Sequence, residues 1–116
     1  MTIEPLLVAL GGSLGAPARY AVGTLTTDTR IPVSTLGVNV LGSFLLGVVT
    51  FGIASDTVAL TVGVGACGAF TTFSSFSYET VEALRDDPVA GTANAVLSLV
   101  LSVSAVGVAY LAVAPV

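Results

Sequence analysis

The run Gly63-Val64-Gly65-Ala66-Cys67-Gly68-Ala69-Phe70-Thr71-Thr72-Phe73-Ser74-Ser75-Phe76-Ser77 decides how this chain is read. It carries no charge, and the uncharged stretch around it fills the 22 residues between Asp56 and Glu79. A bilayer crossing needs about 20 mostly apolar residues, so the segment is predicted to span a membrane. It is nevertheless a poor helix. Gly63, Gly65 and Gly68 weaken helix continuity. Hydroxyl residues follow at Thr71, Thr72, Ser74, Ser75 and Ser77. In hydrocarbon, backbone groups freed by a break must find partners, so broken helices persist only inside protein or beside a water-filled cavity. Small transporters build ion sites from the carbonyls and half-helix ends of such breaks. A continuous helix at a close crossing uses the same small residues, and the segment alone leaves both readings open. The formal G-x-G-x-x-G (Gly63, Gly65, Gly68) is no nucleotide fingerprint, because that motif needs a strand–turn–helix unit and nothing here supplies one.

The flanking sequence has the same character. Of the 116 residues, 54% are hydrophobic and 9% charged, and the mean hydropathy is +1.02. Soluble domains carry roughly 25% charged residues. Between Arg30 and Asp56 lie 25 uncharged residues, and 29 follow Asp87. The stretch from Pro5 to Thr27 is interrupted only by Arg19. The chain is therefore predicted to be an all-α membrane protein: one domain over 1–116, with four transmembrane helices and a break in the third. The helices are expected at about 5–25, 32–54, 57–78 with a charged amphipathic end over 79–85, and 88–112. Pro5, Pro32 and Pro88 suit first helical positions. Ser55 or Asp56 is placed to cap the third helix, and Asp86 and Asp87 favour the start of the fourth.

Several function classes are excluded. There is no His and one Cys, which leaves a transition-metal site almost no ligands. Three Arg and no Lys make no nucleic-acid patch. The acidic start gives no expectation of a cleavable signal peptide. No nucleophile–base pair suggests an enzyme. Short loops make neighbouring helices antiparallel, with Arg30 and Arg85 on one side. The positive-inside rule puts that side in the cytoplasm, but two Arg against none, beside three Asp, is a bias weak enough for insertion both ways. Four helices can hardly enclose a polar path alone, so self-association is expected. Gly11-x-x-x-Gly15 and the Ser43/Gly47 pair would let helices approach closely in lipid. The ordinary abundance of Gly in membrane helices explains them equally well.

Few polar side chains lie inside the spans. Asn39 is the one amide within helix 2; it would either donate to an anion or tie helices together. Asn94, Ser98 and Ser102 recur at i, i+4, i+8 and make a polar stripe on helix 4, unless the hydroxyls bond back to their own helix. Phe70, Phe73 and Phe76 follow at steps of three. Such a stripe suits packing or lipid contact. Its positive ring edges would alternatively line an anion path. Arg19, near the end of helix 1, is expected to snorkel to the interface, hold a dimer or draw anions to a vestibule.

Three ordered motifs then converge. Gly11-Gly12-x-x-Gly15-Ala16-x-x-Arg19-Tyr20, Thr35-Leu-x-Val-Asn39-x-x-Gly42-Ser43-Phe-Leu-Leu-Gly47 and Gly68-x-x-Thr71-Thr72-Phe73-Ser74-x-Phe76-Ser77 together resemble the CrcB/Fluc family of fluoride channels. The resemblance covers all four spans. It implies a multi-pass protein of the cell membrane that lowers cytoplasmic fluoride by passive export through two pores of an antiparallel, dual-topology dimer. It assigns Asn39, Phe73 and Phe76 to the fluoride pore, with Asn94, Ser98 and Ser102 as the polar track. It also implies a structural sodium ion (Na+) held by the backbone carbonyls of Gly68 and Thr71. The partner is a second copy of this chain or a paralogous chain. The sequence departs from the family pattern at Ser34, Ala69, Ser75 and Asn94. The first three are small-for-small changes. Asn94 stands where Tyr is frequent, which leaves the detail of the track open. The rival reading is a small four-helix, proton-coupled exporter of drugs or guanidinium. Such exporters rely on a membrane-embedded Glu in helix 1, whereas Glu4 lies before the span and no helix is expected to bury an acid.

Overall fold

The computed structural model describes residues 2–27 and 32–114. Arg30, expected in the first loop, lies outside them, as does Asp28. Helix α1 covers Glu4–Leu25, with Pro5 in its first turn, and α2 covers Val33–Gly52 directly after Pro32. Each boundary falls within two residues of the sequence expectation. Ser55 caps the next segment by accepting from the Val58 N–H at 3.4 Å.

The predicted third helix is two elements. Helix α3 occupies residues 56–70: Asp56–Val58, a π-helical stretch Ala59–Cys67, and Gly68–Phe70. Thr71 and Thr72 are extended, with ψ of 162° and 115°. Helix α4 then runs Phe73–Asp86. Gly63, Gly65 and Gly68, which the sequence marks as the weak points, are all helical; the extended residues are the two threonines that follow. The wide π turns had no sequence signal. Helix α5 covers Pro88–Val113. Asp87 caps it, its carboxylate accepting from the Val89 and Ala90 N–H groups at 3.1 and 3.3 Å.

Packing pairs α1 with the π-helical part of α3, and α2 with α5; α4 lies on α5. Gly11 and Gly15 explain the first pair. Both are buried, and a Cβ on Gly11 would overlap the Thr61 carbonyl oxygen, while one on Gly15 would overlap that of Ala66. A Cβ on Gly65, facing them, would lie 3.0 Å from the Gly11 Cα. The small-residue pattern of helix 1 is thus used inside the chain, to bring two backbones together. Gly47 does the same for α2 and α5, where a Cβ would sit 2.8 Å from the Cβ of Ala109.

Very little apolar bulk is buried. Among the described residues the buried hydrophobic side chains are Val38, Val49, Cys67 and Ala109, while Leu14, Leu25, Leu99 and Leu111 are all exposed by two thirds or more. In water that arrangement would forfeit the main driving force for folding; in lipid it is the expected one. Among the described residues three helical segments are long and apolar enough to cross a membrane: Val33–Gly52, Asp56–Asp86 and Pro88–Val113. The molecule measures 47 Å along its longest axis, more than the roughly 30 Å of a hydrocarbon core. Helix α1, at 22 residues, is long enough but falls outside that group, because Gly11, Gly12, Ser13, Gly15, Pro17 and Arg19 dilute its apolar content. The protein is a multi-pass, all-helical membrane protein.

Candidate functional site

The junction between α3 and α4 carries the most polar contacts across helices. Two consecutive residues outside any helix leave main-chain groups to satisfy, and side chains satisfy them. Asn39 on α2 spans Thr72: its Nδ2–H donates to the Thr72 carbonyl at 3.0 Å, and its Oδ1 accepts from the Thr72 N–H at 2.7 Å. Thr72 in turn caps α4, its hydroxyl accepting from the Ser75 N–H at 3.1 Å. The Thr71 hydroxyl donates to the Cys67 carbonyl at 3.0 Å, and the Thr71 carbonyl accepts from Arg19 at 3.4 Å. The Thr72 N–H, turned toward Asn39, is the donor that an unbroken helix would direct to Gly68 four residues back.

Beside this junction runs an open groove of about 840 Å³. Its wall includes Asn39, Gly68, Thr71, Phe73, Phe76, Ser98 and Ser102, drawn from α2, α3, α4 and α5 and the junction itself. Phe73 and Phe76 stand 5.8 Å apart by ring centroid, tilted at 43°, and Phe73 is 79% exposed. Ser98 is buried, and its hydroxyl has no hydrogen-bond partner among the described residues. Ser43 and Thr72 also line it, and much of the rest is apolar (Leu46, Val64, Leu99), so the polar groups in it stand out electrostatically.

Not every predicted residue is here. Phe70 belongs to the sequence stripe but precedes the extended pair, and it lines a separate apolar groove with Leu14, Leu45 and Val62. Asn94, one turn from Ser98, does not line the large groove; it is 1% exposed and donates to Thr80 Oγ1 at 2.7 Å. Arg19 lies in a neighbouring pocket of about 300 Å³ with Tyr20, Ser34, Thr35, Thr72 and Ser75. Thr72 is common to this pocket and the groove. Sequence reasoning gave Thr72 no separate role, although Asn39 and a polar extended residue can serve one another.

Glu79 is a correction. The sequence expectation that no helix holds a buried acid treats residues 79–85 as a charged end. Glu79 is half-buried on α4 and accepts from the Thr35 hydroxyl at 3.0 Å. The short extended junction turns α4 so that this face packs inward. Glu4, by contrast, is exposed at the start of α1.

A membrane-embedded groove with a few convergent polar groups, beside an irregular backbone, defines the class: a small membrane protein equipped to pass or hold a small ion. Residues 6–110 match the family described as CrcB-like protein, Camphor Resistance (CrcB), and the chain belongs to that family. It is 47% identical over 110 residues to "Fluoride-specific ion channel FluC 1" of Halobacterium salinarum, covering 94% of this chain and 92% of the relative. It is 49% identical over 106 residues to "Fluoride-specific ion channel FluC 2" of Haloarcula marismortui, covering 90% and 88%. A more distant relative, "Fluoride-specific ion channel FluC" of Methanopyrus kandleri, shares 42% over 109 residues.

Proposed function

We propose that this protein is a fluoride-specific ion channel that lowers cytoplasmic fluoride by passive export. The observation that carries the reading is the groove. It gathers Asn39 from α2, Phe73 and Phe76 from α4, and Ser98 and Ser102 from α5 along one largely apolar wall. The near-complete alignment with channels named for fluoride gives the ion its identity.

Fluoride is small and strongly hydrated, so a pore must replace its water in steps without holding it too long. The second N–H of the Asn39 amide, the hydroxyls of Ser98 and Ser102, and the positive edges of the Phe73 and Phe76 rings supply partners of graded strength. An apolar wall makes each contact stronger than in water. Arg19 would raise the local anion concentration at the mouth of the path.

The groove is open on one side, and α1 crosses the bilayer as the fourth span only if its exposed face meets lipid or protein. A second copy, or a paralogous chain, in antiparallel dual topology would close it and give two pores. The weak Arg bias agrees with insertion both ways. Sodium fits the same scheme as a structural ion. Carbonyl oxygens are hard donors suited to hard cations, and the Thr72 N–H that would occupy the Gly68 carbonyl in a continuous helix is bound to Asn39 instead. The carbonyls of Gly68 and Thr71 from one chain are too few for a cation, so two chains would each contribute theirs. Arg19 already donates to Thr71 at 3.4 Å, which leaves one lone pair of that carbonyl.

Purified protein in fluoride-loaded liposomes tests the reading. Rapid fluoride efflux, with chloride retained, is expected. Phe73→Ile should slow it by roughly tenfold or more, about 1.4 kcal/mol at the barrier, without loss of folded protein, because Phe73 is 79% exposed. Vesicles that keep their fluoride, with dimeric protein and sodium present, would sink the proposal.

A further inference from the structure

The seam between α4 and α5 is antiparallel and changes along its length. At its closed end Gly91 meets Leu84, where a Cβ would lie 2.6 Å from the Leu84 nitrogen. One turn further, Asn94 donates to Thr80 Oγ1 at 2.7 Å, and both side chains are buried. Beyond that the seam opens. Phe76 and Phe73 on α4, and Ser98 and Ser102 on α5, line the groove. Asn94 and Thr80 are therefore the last closed contact before the groove begins.

We propose that Asn94 is a positioning residue, not an ion ligand: with Thr80 it forms a latch that sets how α4 lies against α5 and so fixes the Phe73 and Phe76 rings opposite Ser98. This rests on the pore reading above. The spacing of Asn94, Ser98 and Ser102 puts all three on one stripe of α5, yet only the two serines reach the groove. Asn94 is covered by α4, at 1% exposure. A side-chain hydrogen bond at that depth has no water competing for it and is directional. Helix α4 is only 14 residues long. Its start is held by Asn39 on Thr72, and Thr80 is held two turns later. Phe73 and Phe76 lie between these two anchors, so the backbone that carries the two rings cannot shift unless one anchor gives.

Hydrogen–deuterium exchange of the α4 amides, read without any ion flux, and fluoride efflux from liposomes test the latch together. Asn94→Ala and Thr80→Val should each speed exchange over residues 76–84 by roughly three- to tenfold, the factor set by loss of one buried hydrogen bond, and slow efflux by a similar factor. Thr80→Val nearly preserves shape, so it reports the bond even where Asn94→Ala fails to fold. The double variant should be no worse than either single one, since both break one contact. Thr80→Ser, which keeps the hydroxyl, should restore both readouts. Unchanged exchange in both single variants, effects that simply multiply in the double variant, or a Thr80→Ser protein as impaired as Thr80→Val would overturn the proposal. Wild-type vesicles that retain fluoride while exchange responds as expected would defeat the pore reading and still support the latch.

Discussion

The α1–α3 crossing and the α3–α4 junction are neighbours held by opposite means. At the crossing, side chains are missing: Gly11, Gly15 and Gly65 let two backbones touch. At the junction, side chains substitute for the backbone, with Asn39, Thr72 and Arg19 taking up groups that a helix would have paired within itself. The first is a frame whose tolerance is steric and steep. The second is a polar construction whose parts can be removed singly. A membrane protein lacks the hydrophobic drive that water gives between helices, so close backbone contact holds the frame rigid while polar groups are spent at the site.

The largest effect should come from breaking the frame. Gly15→Val places a branched side chain where even a Cβ would overlap the Ala66 carbonyl oxygen. Overpacking ordinarily destabilises by about 1–3 kcal/mol, occasionally more, and here the obstacle is backbone, which cannot rotate away. Loss of most monodisperse protein on extraction is expected, measured by size-exclusion yield. Gly68→Ala is the contrast, because a Cβ there meets nothing within 4 Å; normal yield from it and poor yield from Gly15→Val would tie the effect to the crossing.

Asn39→Ala probes the junction and should rank second. It removes both bonds to Thr72 and leaves a main-chain donor and acceptor unpaired in an apolar setting. Each unsatisfied group costs about 1–3 kcal/mol. The protein should still be recovered, since the frame is intact, but with a lower melting temperature and efflux slowed by roughly tenfold or more. Asn39→Asp can accept from the Thr72 N–H but, ionised, cannot donate to its carbonyl, so it should fall between wild type and Ala in melting temperature. An Asn39→Ala protein as stable as wild type would show that the junction does not depend on this amide.

The two regions were not equally legible in sequence. Charge gaps and the prolines at 5, 32 and 88 place the helices within two residues, because span length and first-turn chemistry are local. The glycines of α1 were visible as a close-packing face, but not its occupant: the same spacing suits a second copy or another helix of the same chain. The π-helical stretch at Ala59–Cys67 had no signal at all. It lies where Gly11 and Gly65 meet, a tertiary contact that local sequence does not show. At the junction, hydroxyl and amide residues marked polarity in the membrane without pairing it. Asn39 and Thr72 are 33 residues apart, and their reciprocal bonds depend on α2 facing the junction. Asn94, Ser98 and Ser102 share one period, yet α4 covers the first and leaves the others in the groove. Periodicity finds a face of a helix; it does not say where along that face a neighbour stops.

Ser98→Ala should give the smallest change in stability and separates site from frame most sharply. The Ser98 hydroxyl is buried without a hydrogen-bond partner among the described residues. Removing it breaks nothing in the fold and relieves a desolvated polar group, so the melting temperature should hold or rise slightly, by up to about 1 kcal/mol in stability. In the proposed pore that hydroxyl would serve the passing ion. Efflux should therefore fall, by a few-fold for one lost contact of about 1 kcal/mol, while stability does not. A variant that loses both together would place Ser98 with Asn39 and Thr72 as part of the junction's construction. One that loses neither would remove Ser98 from the path and leave fluoride to Asn39, Ser102 and the two phenylalanines.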